Sequence, residues 1–298
     1  MMGRPAQTVV PVLRPPSVEV PSLERSWLFA HLAVPAGGCP DARVASLVGT
    51  VLTDLVATAR RADPEAQWFY DRVDSPAGPR VSLGVVAGPG ALDAVRRRLR
   101  AYDPQVAFAA DPYAVRDAAR GGPLASAASD LALALLGGET PWLAGAELAL
   151  AVTHLRHLCD LMPAADRLAF LFLHWQDRSR RLTGAHRREL AAQADIGAEK
   201  IVLAAGDLPL TGAVATAWRR YLDRVADVVD RDESTSPPRG FLLAHHAQLT
   251  HERWGIGPDV DSLAALALRL SMVRDRPAAP TPSPPAPRRP QPHASVRA

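Results

Sequence analysis

Gln67-Trp68-Phe69-Tyr70-Asp71-Arg72, a short turn over residues 74–78, then Pro79-Arg80-Val81-Ser82-Leu83-Gly84-Val85-Val86: the reading of this stretch decides the fold. Large apolar and polar residues alternate through both halves, with Ser75-Pro76-Ala77-Gly78 between them, so the pattern predicts an antiparallel hairpin with one buried face. The other, open face is expected to carry Tyr70, Arg72, Arg80 and Ser82. Taken alone, such a face is the solvated side of a sheet more readily than a site.

Working outward, residues 26–34 read as a strand. Asp41 then caps an amphipathic helix in which Val44, Leu47, Val48, Val51, Leu52 and Leu55 recur at helical spacing. Beyond the hairpin, residues 93–102 predict a helix with an arginine-rich outer face, and 105–109 a short apolar strand. The order strand, helix, strand, strand, helix, strand is that of a ferredoxin-like layer. From Pro123 the periodicity is helical, over residues 124–136, 142–161, 164–175, 184–194, 214–231, 241–254 and 262–273. The fold class expected is α+β: a ferredoxin-like four-stranded antiparallel sheet layer over 26–110, with a helical part over 123–273 packed beside it. Both belong to one domain, residues 25–276. Residues 1–24 form a proline-rich irregular arm, and 277–298 a Pro/Ala/Arg tail too poor in apolar residues to offset chain entropy, expected to be disordered.

At 298 residues and 48% hydrophobic content the chain can bury a sizeable core. Its net charge of +3 is set by Arg274, Arg276, Arg288, Arg289 and Arg297 near the C-terminus, which leaves the rest close to neutral. A nucleic-acid partner is not expected, because Arg96-Arg97-Arg98-Leu99-Arg100 reads as a solvated helix face and lacks interleaved aromatics. Cys39 and Cys159 form neither a disulfide framework nor a metal knuckle, which fits a reducing cytoplasm. No export signal is read at the N-terminus. The apolar run at 143–162 is interrupted by Glu147, His154, Arg156 and His157, so no membrane span is expected.

Four motifs follow one another along the chain: Ser26-Trp27-Leu28, the Trp68-Phe69 hairpin, Tyr113 with the later Arg120-Gly121-Gly122, and Glu252-Arg253-Trp254-Gly255-Ile256. In order and spacing they resemble the thiopeptide-type bacteriocin biosynthesis family, which includes the C-terminal elimination domain of lantibiotic dehydratases. Members that eliminate glutamate from glutamylated serine carry His-Leu-Arg-Leu-Arg where this chain has Arg80-Val81-Ser82-Leu83-Gly84. They also carry Pro-Glu and Arg-Tyr where this chain has Val115-Arg116 and Ala119-Arg120. Loss of those cations and that carboxylate removes groups suited to an enolate-like intermediate and a departing carboxylate. In what is kept and what is missing, the chain resembles the stand-alone pyridine synthases of thiopeptide biosynthesis.

That resemblance implies a precursor-peptide partner with a leader, azoles and two dehydroalanines. It implies a formal [4+2] aza-cycloaddition followed by loss of water and of the leader, with no cofactor and no metal. Two alternatives stand beside it: a glutamate eliminase split from its partner, and a non-catalytic leader-binding subunit. A homodimer is also left open. Catalytic candidates are Tyr70, Ser82, His246 and Arg253; substrate-binding candidates are Trp68, Arg72, Arg80, Tyr113, Arg116 and Glu252. His246, Thr250 and Arg253 share one helical stripe, while Leu242, His245 and Leu249 form the apolar one, so His246 is expected at the site and His245 in the core. His154, His157 and Cys159 lie close in sequence but lack a further ligand for a metal site. His174 ends an apolar helix and is read as a cation on its dipole.

Overall fold

The computed structural model describes residues 25–35, 40–75, 78–109, 122–137, 145–206, 208, 212–231 and 239–275. The predicted N-terminal arm and C-terminal tail lie outside them. Strand β1 (Ser26–Ala33) leads into α1 (Pro40–Leu47), a π-helical turn (Val48–Leu52) and α2 (Thr53–Ala62). The wider turn lets Thr53 Oγ1 donate to Gly49 O at 2.9 Å, the kind of local hydroxyl bond that competes with regular helix pairing. By length and composition this run, Ala42–Ala62, is long and apolar enough to cross a membrane. Here Leu47, Val48, Leu52, Leu55 and Val56 are buried in the protein core.

The hairpin forms as expected, with β2 (Gln67–Ser75) and β3 (Gly78–Ala87) antiparallel and joined by two residues. After α3 (Pro89–Tyr102), β4 (Ala107–Ala109) completes a four-stranded antiparallel sheet of order β2-β3-β1-β4. Arg98 of α3 pairs with Asp54 of α2, so part of the basic run is neutralised within the protein.

The register overturns one expectation. Tyr70 stands opposite Leu83 and Arg72 opposite Val81, whereas Ser82 stands opposite Asp71 and Arg80 opposite Val73. Directly paired residues share a face and successive ones alternate. Tyr70 and Arg72 therefore belong to the face of Leu83 and Val81, and only Ser82 and Arg80 to the other. The first face joins Leu28, Ala30 and Leu32 to Leu55, Leu92 and Leu99 in the main core. The second carries Trp27, Phe29 and Phe69, whose rings stack or meet edge-on at 5.5 to 6.4 Å and enclose Ala125.

Among the described residues seven helices follow: α4 (Pro123–Leu136), α5 (Glu147–Asp160), α6 (Arg167–Ser179), α7 (Gly184–Gly206), α8 (Gly212–Arg231), α9 (Arg239–Trp254) and α10 (Pro258–Arg274). The main core runs unbroken from the sheet into these helices. Outward N–H groups of an edge strand invite pairing with another chain. Here α4 covers them: Trp68 N donates to Ser126 Oγ at 3.4 Å and Tyr70 N to Ser129 Oγ at 3.3 Å. That explains why this buried helix carries serines among its alanines and leucines.

Candidate functional site

The Glu252-Arg253-Trp254-Gly255-Ile256 motif ends α9 and locks it to β2. Gly255 adopts φ +84°, Ile256 N bonds back to His251 O at 2.9 Å and Gly255 N to Glu252 O at 3.1 Å, a glycine-terminated helix end. A Cβ at Gly255 would also run into the Arg72 guanidinium. Across the seam the bonds are reciprocal. Tyr70 Oη donates to Arg253 O at 2.8 Å and Arg253 Nε to Tyr70 O at 2.8 Å. Arg72 Nε donates to Arg253 O at 3.0 Å, and Arg253 Nη2 to Asp71 Oδ1 at 3.0 Å.

Tyr70 is fully buried, its hydroxyl pushed up to about 12 by that burial, and Arg253 is buried beside it. Trp68 is buried too, stacked on Tyr70 at 6.1 Å and donating from Nε1 to Asp130 at 2.8 Å. The seam thus brings Tyr70, Arg72 and Arg253 together, facing the protein interior instead of the expected open face.

The helical stripe is also reversed. His246, Thr250 and Arg253 point inward, and His246 is 6% exposed; His245 is the half-exposed one. Helix α9 touches α4, α5, α6, α8 and β2, so nearly its whole circumference is interior and a polar stripe need not be a wet one. Ser82 is half-buried and Arg80 exposed, in keeping with the expected open face. Ser82 stands between Asp71 on β2 and His31 on β1, making a polar row across three strands. Sequence reasoning missed His31, although its alternation with Trp27 and Phe29 signals the same face. Gly84 also lies on this face, beneath Phe69, whose ring would stand 2.5 Å from an added Cβ. Tyr113 and Arg116 lie outside the described residues.

Under α9 sits a buried polar chain that the sequence reading did not foresee. Asp261 Oδ1 accepts from His174 Nε2 at 2.7 Å and from His251 Nδ1 at 2.8 Å. His251 Nε2 meets His154 Nδ1 at 2.9 Å, His154 Nε2 meets Tyr221 Oη at 3.1 Å, and Tyr221 Oη meets Thr250 Oγ1 at 3.2 Å. Arg178 Nε lies 2.8 Å from Asp261 Oδ2, and its Nη1 donates to Glu252 at 2.9 Å. Glu252, at the protein edge, also accepts from Gln248 at 3.1 Å.

Burial opposes ionisation of Asp261, but the His174 and His251 charges and hydrogen bonds outweigh it and hold the carboxyl well below its usual range. Burial, then the His251 charge, pushes His154 well below the usual imidazole range. His174 therefore lies within α6, bonded to a buried carboxylate, and not at the helix end where a dipole would hold it. His174, His251 and Asp261 offer ligand atoms within 4.8 Å of one another. The Arg178 guanidinium already supplies the positive charge beside that carboxylate, so the cluster fits a hydrogen-bonded network better than a cation site. Burial pushes the Cys159 thiol up to about 12, which removes it as a nucleophile near neutral pH.

Between α6 and α9 opens a cleft of about 430 Å³. Exposed Leu173 and Phe241 stand at its walls, His245, Gln248 and Gln176 line it, and His174 belongs to its lining. The last turn of α9 separates this cleft from the sheet: Arg253 ends on Asp71 of the polar row and Glu252 on Gln248 of the cleft.

No protein-family model and no curated protein matches the chain. Among solved structures it is similar to TsrL, with TM-score 0.52 and 14% identity over 86% of this chain and 100% of that one. It is similar to TbtD, the pyridine synthase from thiomuracin biosynthesis, with TM-score 0.55 and 16% identity over 85% of this chain and 99% of that one. Against the tRNA-dependent lantibiotic dehydratase MibB from Microbispora sp. 107891 the TM-score is 0.54 and the identity 18%, over 84% of this chain but 28% of that one. At these identities the likeness is one of fold: the chain has the fold of the thiopeptide pyridine synthase-like proteins.

Proposed function

We propose that this chain is a peptide-tailoring enzyme of thiopeptide biosynthesis. It would close a pyridine, and with it a macrocycle, from two dehydroalanines of a leader-bearing azole peptide, by formal [4+2] aza-cycloaddition, dehydration and loss of the leader. The observation that carries this reading is coverage: the shared fold extends over 99% of the pyridine synthase's chain, against 28% of the dehydratase's. The strand order β2-β3-β1-β4, with each pair antiparallel, supports the ferredoxin-like reading of the sheet layer.

The open sheet face disfavours the eliminase alternative. Where eliminases carry the two arginines of His-Leu-Arg-Leu-Arg, this chain has Ser82 and Gly84, and the Phe69 ring takes up the space above Gly84. An anionic leaving group would find no cation at either place. What the face offers a peptide is Arg80, the row Asp71, Ser82 and His31, and a partly exposed Trp27 against which flat azole rings can stack. Tyr70, Arg72, Trp68 and Arg253 hold the seam from which Asp71 projects. Cycloaddition asks mainly for two distant residues of one peptide to be brought together, worth roughly 7 to 11 kcal/mol of barrier. The reaction needs no cofactor.

The test is mass spectrometry of a dehydrated, azole-bearing leader peptide after incubation with the full chain. The expected outcome is a pyridine product plus the released leader amide, slowed by roughly 10-fold or more in Ser82→Ala through loss of one substrate contact. Glutamate released from a glutamylated precursor would replace this reading with elimination, and binding of leader without conversion would replace it with the leader-binding subunit.

A further inference from the structure

Open-face chemistry leaves one cluster unused: the buried carboxylate with two imidazoles whose far edge reaches the α6–α9 cleft. We propose that His174 is an acid–base residue serving a peptide bound in that cleft, with Asp261 as its positioning residue. This rests on the reading of the substrate as a peptide.

An ionised carboxylate can only accept, so His174 Nε2 must carry the proton it gives to Asp261 Oδ1 at 2.7 Å. Its tautomer is thereby fixed. Nδ1 is left as the one ring nitrogen able to exchange a proton, and among the described residues it has no hydrogen-bond partner. His174 is 1% exposed, yet it belongs to the cleft lining, so a ligand filling the cleft meets this residue out of bulk water.

Asp261 is held from three sides, by His174, by His251 Nδ1 at 2.8 Å and by Arg178 at 2.8 Å, which fixes the carboxylate that fixes the ring. The other charged groups of the cleft lining are Asp177 and Arg180 of α6, paired with each other, and Arg178 beside Asp261 is paired with Glu252 of α9. From the cleft wall His245 faces it as a further titratable group. The lining suits a peptide segment: Gln176 and Gln248 match backbone amides, and Phe241 and Leu173 match an apolar or aromatic residue.

In the step proposed, Nδ1 removes the N–H proton of a substrate amide and returns a proton to the carbonyl oxygen. The amide becomes its iminol tautomer and the imidazole is restored, so no net proton is consumed. Such assistance is worth typically 10² to 10⁴ in rate.

The experiment combines ¹⁵N-histidine NMR of the full chain with turnover of a synthetic leader peptide containing two dehydroalanines and a thiazole. His174→Gln assigns the signals. Expected are an Nε2–H tautomer for neutral His174 and a shift of its Nδ1 signal on adding the peptide. In His174→Gln, turnover should fall 10² to 10⁴-fold with leader affinity unchanged, and the acidic limb of the rate profile should flatten. An Nδ1–H tautomer, or wild-type turnover and pH profile in His174→Gln, overturns the proposal. Should the wild-type chain convert nothing, the pyridine-synthase reading falls by itself and the NMR decides: a peptide-induced shift at His174 upholds the acid–base site, and its absence removes it. Should His174→Gln fail to fold, His174→Asn and the wild-type spectra carry the same decision.

Discussion

Two buried polar assemblies hold this protein together on either side of α9, and they are built from different materials. At the β2–α9 seam, Tyr70, Arg72 and Arg253 spend most of their bonds on backbone carbonyls, whose protonation never changes. Beneath the cleft, His174, Asp261, His251, His154 and Tyr221 bond to one another, so each group's state depends on its neighbour's. The first arrangement is a fastener made mostly of groups that do not change charge, with the Arg253–Asp71 pair as an ionic contact. The second is a chain of ionisable groups, in which burial keeps His154 neutral and the flanking imidazoles keep Asp261 ionised.

The largest expected effect comes from breaking the second assembly at its anion. Asp261→Asn keeps the shape but leaves Arg178 facing an amide and removes the charge between two imidazoles. Removing one partner of a buried ion pair costs about 3 to 5 kcal/mol. For a chain of this size that lowers Tm by roughly 6 to 20 °C, measurable by calorimetry. An unchanged Tm would mean that Asp261 is protonated in the native protein and the charge assignment is mistaken.

A smaller effect follows from pH alone. His154 is buried neutral, pushed well below its usual value by burial first and by the His251 charge second. The unfolded chain takes up a proton at this residue below about 6.5, and the native chain does not. Stability is therefore fully present above that pH and falls as pH drops through it, by at most about 1.4 kcal/mol per unit for one group. Asp261 adds a loss of the same sign below about 4, because its carboxyl is held low only in the folded state. Tm should decline between pH 7.5 and 5.5 in the wild-type chain and decline less in His154→Gln. Parallel declines in the two would place the sensitivity elsewhere.

The contrast also explains what the sequence made legible. Alternation in residues 67–86 and the 3.6-residue period after Pro123 locate the hairpin and most of the helices, because burial of one face leaves a period. Two readings failed for separate reasons. Which residues share a sheet face depends on register, and the two-residue connection sets even-numbered residues of β2 against odd-numbered residues of β3, parting Tyr70 from Ser82. On α9 the polar stripe reads as the one facing a site, but a helix enclosed on nearly every side buries its polar residues against partners. Those partners, Tyr221 for Thr250, Tyr70 and Asp71 for Arg253 and Asp261 for His251, come from α8, β2 and α10 and leave no local pattern. Sequence therefore groups His154 with its neighbours His157 and Cys159, and leaves His174 alone, although both belong to one buried chain.

The smallest expected effect tests the seam. Tyr70→Phe keeps the ring that stacks on Trp68 and removes only the hydroxyl. The Arg253 carbonyl then loses one donor but keeps Arg72 Nε at 3.0 Å, so no buried acceptor is orphaned. A net loss near 1 kcal/mol is expected, about 2 to 4 °C in Tm, with the pH dependence of stability unchanged because no charged group is disturbed. The same substitution should leave peptide turnover within a few-fold of wild type, since a fully buried phenol bonded to a backbone carbonyl is not presented to substrate. A 10²-fold or greater loss of turnover at unchanged Tm would show that the seam opens during the reaction and that Tyr70 donates its proton there. The fastener would then be a moving part, and the division between a rigid seam and a titrating chain would fail at its firmer end.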